Sequence, residues 1–466
     1  MKIKFFGATR EVTGSKHLIV TNHGKKLLLD CGMFQGKGLN TDAKNREIFI
    51  NPEEIDHIIL THSHIDHSGL IPFYYKLGFR GSIICTDATR DLCSIMLADA
   101  GHIQEQDVYT FNKKRIRQGL PTIEPLYTAD DAFKCMSLFY TIPYDRKLQI
   151  DENIKVKFTN TGHLLGSGVA IIEIKEGSTI KRIGYTGDIG RPVNRILKPP
   201  VSFPQVDYLI VESTYGDRLH EDLKAADEKL LEIVFETCVK KRGKLLIPSF
   251  SVGRTQEIVY TLNNFYNEGK LPKIEVYVDS PLAINATEIF RMHTECFNKD
   301  ILNVMLYDSD PFGFNTLHYI KRVEDSKKLN YIEEPCIIIS ASGMMEAGRI
   351  KHHLANNISK PSTTVLAVGY CAPETLGARL LSGAKQISIH GNLYDVKANI
   401  EKIDSYSGHA DYKEIIEFLK CQNPVEVKQT FIVHGEYNAQ LNLKKELENI
   451  GFRNITIPEK NQEYLI

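Results

Sequence analysis

His62-Ser63-His64-Ile65-Asp66-His67 packs four metal-binding side chains into six residues, directly after the apolar run Ile58-Ile59-Leu60. The run reads as a short buried strand. Zinc takes imidazole nitrogen and carboxylate oxygen, usually four ligands to a site, and a catalytic site leaves one position for water. Four ligands crowded on one turn cannot all reach one ion without strain, so they divide into pairs. His62 and His64, two apart on extended chain, point to one side, and a helix beginning near Ser68 is expected to turn Asp66 and His67 elsewhere. The spacing predicts a binuclear centre. A lone histidine among the sixteen of this chain is more often surface or core filling than a ligand. No packing rule calls for this density of polar residues behind a buried strand.

Outward from the hexad, strands are predicted at Ile3 to Phe6, His17 to Val20, Lys26 to Leu29, Ser82 to Cys85, Ile154 to Phe158, Val169 to Ile174, Arg182 to Tyr185 and Tyr208 to Val211. Several stop on a polar residue: Asp30 after Leu29, His62 after Leu60, His163 in Thr161-Gly162-His163, Asp188 in Thr186-Gly187-Asp188, and Glu212 after Val211. Ligand sites of layered α/β proteins collect at such strand ends.

Beyond about Asp217 the texture changes to longer helical patterns alternating with strands, as at Leu245 to Pro248, Ile274 to Val278, Cys336 to Ser340 and Val365 to Val368. That alternation suggests a doubly wound unit. From about Gln386 the first texture resumes, with apolar runs at Ile387 to His390 and at Thr430 to Val433, the latter ending on His434. One domain is thus interrupted by another.

With 466 residues, 42% hydrophobic and 25% charged, the chain has room for two or three domains. It has no stretch near the roughly 20 apolar residues of a membrane span and no secretory leader, so a cytoplasmic protein is expected. Nine cysteines without a Cys-x-x-Cys pair fit neither a disulfide framework nor a zinc ribbon. A net charge of −1 gives no global basic field, so attraction to nucleic acid would have to be local. The basic clusters Lys113-Lys114-Arg115 and Lys240-Lys241-Arg242 read as solvated helix faces.

The hexad together with Asp30, Gly162-His163 and Gly187-Asp188 resembles the metallo-β-lactamase superfamily, a four-layered αββα sandwich that holds two metals. The resemblance implies one zinc on His62, His64 and His163, and another on Asp66, His67 and His434, with Asp188 bridging. Asp30 would hold the ligand loop through hydrogen bonds. Three further segments, Glu212-Ser213-Thr214-Tyr215-Gly216, Ser407-Gly408-His409-Ala410-Asp411 and Val433-His434-Gly435-Glu436, resemble the signature motifs of the β-CASP nucleases. That group includes the cleavage subunit of messenger RNA 3′-end processing and the bacterial RNases J. It carries an α/β domain inserted in the lactamase fold, which implies bounds of 1–215 and 386–466 for the two lactamase parts and 216–385 for the insert.

Two cations suit phosphodiester cleavage, because they clamp the oxygens over which charge spreads and hold a hydroxide available near neutral pH. The leaving 3′ oxygen then needs a proton. His409 is the candidate general acid, with Glu212 orienting it and keeping it charged, and Asp66 and Asp188 complete the catalytic set. Taken alone, His409 with Asp411 also reads as a helix start, and Glu212 as a solvated strand end. In the resembled group, a histidine at the position of His434 accompanies members that process RNA.

Inside the insert, Ser249, Arg254, Ser340, Ser342, Thr375 and Arg379 follow strands or open helices, where hydroxyls, amides and guanidinium groups bind phosphate. The same residue types are common helix caps. The sum is a zinc-dependent ribonuclease acting on single-stranded RNA with two zinc ions. Internal cutting is expected, because the sequence leaves no room for the additional terminal domains of some relatives. The competing readings are a thioester or lactam hydrolase, a 5′ exoribonuclease, a DNA nuclease of the same family, and a metal-free partner subunit, against which the complete ligand set argues. A homodimer is compatible with base rates and with nothing more specific.

Overall fold

The computed structural model describes residues 1–36, 39–220, 223–369, 371, 375–403 and 406–466, the side chains of 39, 40 and 224 excepted. Two compact units emerge: Met1–Pro192 with Lys198–Leu219 and His409–Ile466, and Val193–Leu197 with His220–Gly408.

The first unit is built on two sheets. One contains β1 (Lys2–Gly7), β2 (Lys16–Val20), β3 (Lys26–Leu29), β4 (His57–Ile59), β5 (Ser82–Cys85) and β6 (Phe139–Thr141), with β22 (Glu463–Leu465) at its edge beside β1. The other contains β7 (Lys147–Asp151), β8 (Ile154–Asn160), β9 (Gly168–Glu176), β10 (Thr179–Tyr185) and β11 (Tyr208–Val211), followed by β20 (Gln429–Ile432) and β21 (Ile455–Thr456). Because side chains alternate across a strand, each sheet has two apolar faces to cover. Phe5, Leu27, Leu29 and Ile59 of the first sheet meet Val156, Phe158, Ile172, Ile210 and Phe431 of the second in a shared core. On the outer face of the first sheet, Leu28, Ile58 and Ile83 pack with Tyr74 and Leu97 of the helices Ile71–Lys76 and Asp87–Arg117. On the outer face of the second, Val169, Leu209 and Ile432 pack with Ile415 and Leu443 of the helices Tyr412–Leu419 and Tyr437–Asn449. The order is helix, sheet, sheet, helix, as the resemblance implied.

Of the short apolar runs read from sequence, those at Ile3 to Phe6, His17 to Val20, Ile154 to Phe158 and Val169 to Ile174 are antiparallel strands, and those carrying Asp30, His62 and Glu212 at their ends have parallel neighbours. β3, β4, β5 and β6 run parallel, as do β10, β11, β20 and β21. Asp30, His62, Asp188, Glu212 and His434 therefore leave the carboxyl ends of β3, β4, β10, β11 and β20.

The second unit is an all-parallel sheet of β14 (Leu317–Tyr319), β13 (Glu275–Val278), β15 (Cys336–Ser340), β12 (Lys244–Pro248), β16 (Thr364–Val368) and β19 (Asn399–Ile403), in that spatial order. β17 (Gln386–Ile389) and β18 (Asn392–Asp395) form a hairpin whose Ile387 and Ile389 share its core. The expected return to the first domain at 386 is corrected: β19 pairs with β16, so the second unit keeps the chain through Gly408. The apolar run at 387 is the first strand of that hairpin.

Candidate active site

The hexad begins on extended chain and ends in a helix that starts earlier than expected. His64 caps the helix Ile65–Ser68 with extended backbone, so Asp66 and His67 already lie in its first turn. The backbone is fastened from two sides, since Ser15 N–H donates to the Asp66 carbonyl at 2.8 Å and Cys31 N–H to the His67 carbonyl at 2.7 Å. Gly32 makes this approach feasible: a Cβ there would lie 1.6 Å from the Asp66 carbonyl oxygen.

His62, His64, His163 and Asp188 bring one ligand atom each to within 4.8 Å of one another, and Asp66, His67 and His434 do the same. His64 Nδ1 lies 3.1 Å from both His62 Nε2 and His163 Nε2. Asp188 stands between the groups, with Oδ2 at 3.3 Å from His62 Nε2 and 3.4 Å from His163 Nε2. Its Oδ1 lies 3.2 Å from His67 Nε2 and 3.6 Å from His434 Nε2. Neighbouring donors around an ion with zinc–nitrogen distances of about 2.0–2.1 Å are separated by roughly 3.3 Å. The observed separations match.

The donor chemistry agrees. Asp188 Oδ1 is buried and accepts no hydrogen bond among the described residues, although imidazole nitrogens face it. A buried acceptor left without a partner is costly, so it calls for a cation. Burial lowers His62 and His163, and lowers His64 to about 3, which leaves these rings neutral as ligation requires. At His67 burial works the same way, but Asp188 and Asp30 outweigh it and favour positive charge on the ring. This set is fit to bind divalent metal.

Asp30 leaves β3 in a left-handed conformation (φ 56°) and is fully buried. Its carboxylate accepts the Thr61 N–H and hydroxyl at 2.8 Å each, and the Tyr185 hydroxyl at 2.8 Å. It also lies 2.6 Å from His67 Nδ1. Such a contact fixes the proton on Nδ1 and directs Nε2 inward. Thr214 treats His434 similarly, with Oγ1 at 2.9 Å from Nδ1 while its hydroxyl donates to the His434 carbonyl at 3.2 Å.

His409 stands beside this cluster with its ring one-fifth exposed. Its Nδ1 lies 3.2 Å from Glu212 Oε2 and 3.9 Å from Asp188 Oδ2, and its ring centroid is 4.5 Å from that of His163. Glu212 is buried and held by the N–H groups of Ile189 and Thr214. Burial lowers the His409 imidazole, but Glu212 and Asp188 prevail and raise it to about 9.

The structure thus brings together His62, His64, Asp66, His67, His163, Asp188, Glu212, His409 and His434, with Asp30 behind them. Sequence reasoning missed Thr61, Tyr185 and the hydrogen bond of Thr214. Their only signal was adjacency, since each neighbours a named segment.

The six residues proposed for phosphate lie in the second unit. Ser249 and Ser340 are buried, their hydroxyls donating to the Phe250 and Asp279 carbonyls. Arg254 pairs with Glu257, and Ser342 accepts the N–H groups of Glu346 and Ala347 in its own turn. Thr375 caps the helix Leu376–Leu381 by accepting the Ala378 N–H, and Arg379 lies on that helix, partly open to solvent.

Comparison with known proteins agrees with this architecture. The sequence profile of the metallo-β-lactamase superfamily matches residues 13–249, that of the Beta-Casp domain residues 255–380, and that of a Zn-dependent metallo-hydrolase RNA specificity domain residues 393–458. The chain is 33% identical over 449 residues to a ribonuclease of Thermus thermophilus, covering 96% of each protein. It is 34% identical over 441 residues to an RNase J-like protein of Methanocaldococcus jannaschii, covering 93% of this chain and 92% of that one. To the transcription termination factor FttA of the same organism it is 31% identical over 471 residues, covering 98% of this chain and 70% of the factor. A sandwich with the ligand set at its strand ends, an inserted parallel-sheet unit and these matches lead to one conclusion: the chain belongs to the β-CASP branch of the metallo-β-lactamase superfamily and is a metal-dependent hydrolase.

Proposed function

We propose that this protein is a zinc-dependent ribonuclease that cuts single-stranded RNA internally. The observation that carries the reading is the contact of His409 with the buried carboxylate of Glu212, next to Asp188. Two zinc ions, one on His62, His64 and His163 and the other on Asp66, His67 and His434 with Asp188 shared, would supply Lewis acidity, a water acidic enough to attack at neutral pH, and countercharge for a phosphodiester.

The chain's own groups supply the remainder. Asp66 and Asp188 offer acceptor oxygens to the attacking water. Glu212 engages His409 at Nδ1, which leaves Nε2 as the atom that donates a proton to the departing 3′ oxygen. A thioester or lactam hydrolase would leave the His409–Glu212 pair and the whole second unit without a role. RNA as substrate is supported by the ribonuclease and RNase J-like relatives and by the RNA specificity profile over 393–458. In the second unit, Arg379 is the exposed phosphate candidate, Arg254 and Ser342 are half-buried, and Ser249, Ser340 and Thr375 are buried.

The test is digestion of a circular RNA beside linear 5′-phosphate and 5′-hydroxyl forms and a matched DNA, with zinc-loaded protein. Opening of the circle with the DNA spared is expected. An intact circle beside a degraded 5′-phosphate RNA would assign 5′ exonuclease action instead. Intact RNA together with turnover of thioesters or lactams would overturn the proposal.

A further inference from the structure

We infer that Arg10 and Tyr437 form a stacking site for one unpaired nucleobase of the RNA, on segments joined to the backbone of the metal-ligand stretch at His434. The inference rests on the ribonuclease reading and adds a subsite to it.

The Arg10 guanidinium lies over the Tyr437 ring, 4.6 Å from its centroid. An arginine over an aromatic face is common on protein surfaces. What sets this pair apart is how it is anchored. Arg10 belongs to the turn after β1, closed by the Ala8 N–H donating to the Thr13 carbonyl at 3.2 Å. Ala8 (φ 50°) and Arg10 (φ 55°) are both left-handed, a conformation that disfavours residues with a Cβ. The turn is tied to the metal-ligand segment, because the His434 N–H donates to the Ala8 carbonyl at 2.7 Å and the Gly435 N–H to the Glu11 carbonyl at 3.3 Å. Tyr437 opens the next helix, three residues after His434. Both partners are thus fixed to the backbone of one ligand.

The pair is also open to solvent. Tyr437 is 42% exposed, and Leu441, one helical turn further along the same face, is 44% exposed. Arg10 also makes an ion pair with Glu459 at 2.9 Å, in which the side chains are 38% and 63% exposed, so it holds the guanidinium only weakly. A planar cation on an aromatic ring, with apolar surface beside it, matches the chemistry of a nucleobase. Every base has a π-face, so stacking tolerates sequence variation. A base within a duplex has both faces occupied, so the site selects single strands.

The experiment is equilibrium binding of a short hydrolysis-resistant RNA to zinc-loaded protein, with 2-aminopurine and then an abasic ribose placed at each position in turn. In the wild type, 2-aminopurine at one position is expected to lose fluorescence on binding, and an abasic ribose there to weaken binding about tenfold, as for one base–aromatic stack. Tyr437→Leu should abolish that quenching and weaken binding of intact RNA by a similar factor, with no further loss for the abasic RNA. Tyr437→Phe should restore both signals. Quenching that persists in Tyr437→Leu, or losses that multiply, would overturn the inference. Cleavage of RNA by the wild type with no such coupling sinks the stacking site alone. RNA neither bound nor cut sinks the ribonuclease reading and this site with it.

Discussion

In the proposed reaction the His409 imidazole carries a proton and the Glu212 carboxylate keeps it aimed. His409→Ala is expected to lower kcat on RNA by about 10²–10⁴-fold, the usual worth of a positioned proton donor, while zinc content measured by elemental analysis stays at the wild-type level. Loss of zinc alongside activity would show that His409 acts on the ligands instead. Asp30 works at one remove, through the 2.6 Å contact to His67 Nδ1. Asp30→Asn should weaken zinc binding by about 10–100-fold in competition with a chromogenic chelator. Unchanged affinity would remove Asp30 from the account. These residues differed in legibility: the hexad was legible because polar residues at that density break every packing pattern. Thr61 and Tyr185 were not, because a buried hydroxyl aimed at a carboxylate looks, in sequence, like any polar residue at a strand end.

Among elements, the strands buried along their whole length, such as β11, β12, β15 and β16, were the best read, since their apolar runs are continuous. β18, β19 and β22 mix polar with apolar residues or lie at edges, and left no comparable trace. The end of β13 carries a device that sequence did not single out. Asp279, fully buried there, accepts from Arg349 Nη1 at 2.6 Å and from the Ser326 hydroxyl at 2.6 Å, and lies 2.7 Å from His353 Nε2. Burial pushes its carboxyl up, but the hydrogen bonds from His353, Ser326 and Arg349 win and hold it below the ordinary value. Asp279→Asn should therefore cost about 3 kcal/mol in urea unfolding at neutral pH, because Arg349 loses its buried counter-charge. A carboxylate with a depressed folded-state pKa contributes its full stability above the unfolded value of about 3.9 and loses it as pH falls from there through the lower folded value. The gap between wild type and variant should accordingly close only in acid; a gap that closed toward alkaline pH would refute this account.

At the scale of the whole molecule, the division into a lactamase sandwich and an inserted unit was visible as a change of texture. The exit of the insert was misplaced, because a β-hairpin strand of the second unit resembles a strand of the first. The ligands of the proposed centre leave strands of both sheets of the sandwich, β4 in one and β10 and β20 in the other, so metal ties the two sheets together. Free zinc at 100 times its dissociation constant should stabilise the first unit by about 2.7 kcal/mol, and stripping with a chelator should reverse this. Calorimetry would record the shift in the first unit's transition, and an unmoved transition would argue against occupancy of the site.

The ligand order also has a consequence during synthesis. His62 is translated long before His434, with the entire second unit between them. A nascent chain therefore holds one ligand group long before it can complete the other, and it also lacks His409. In the proposed reaction, RNA cleavage is thus withheld from a polypeptide still attached to its own messenger until His409 and His434 have both been made.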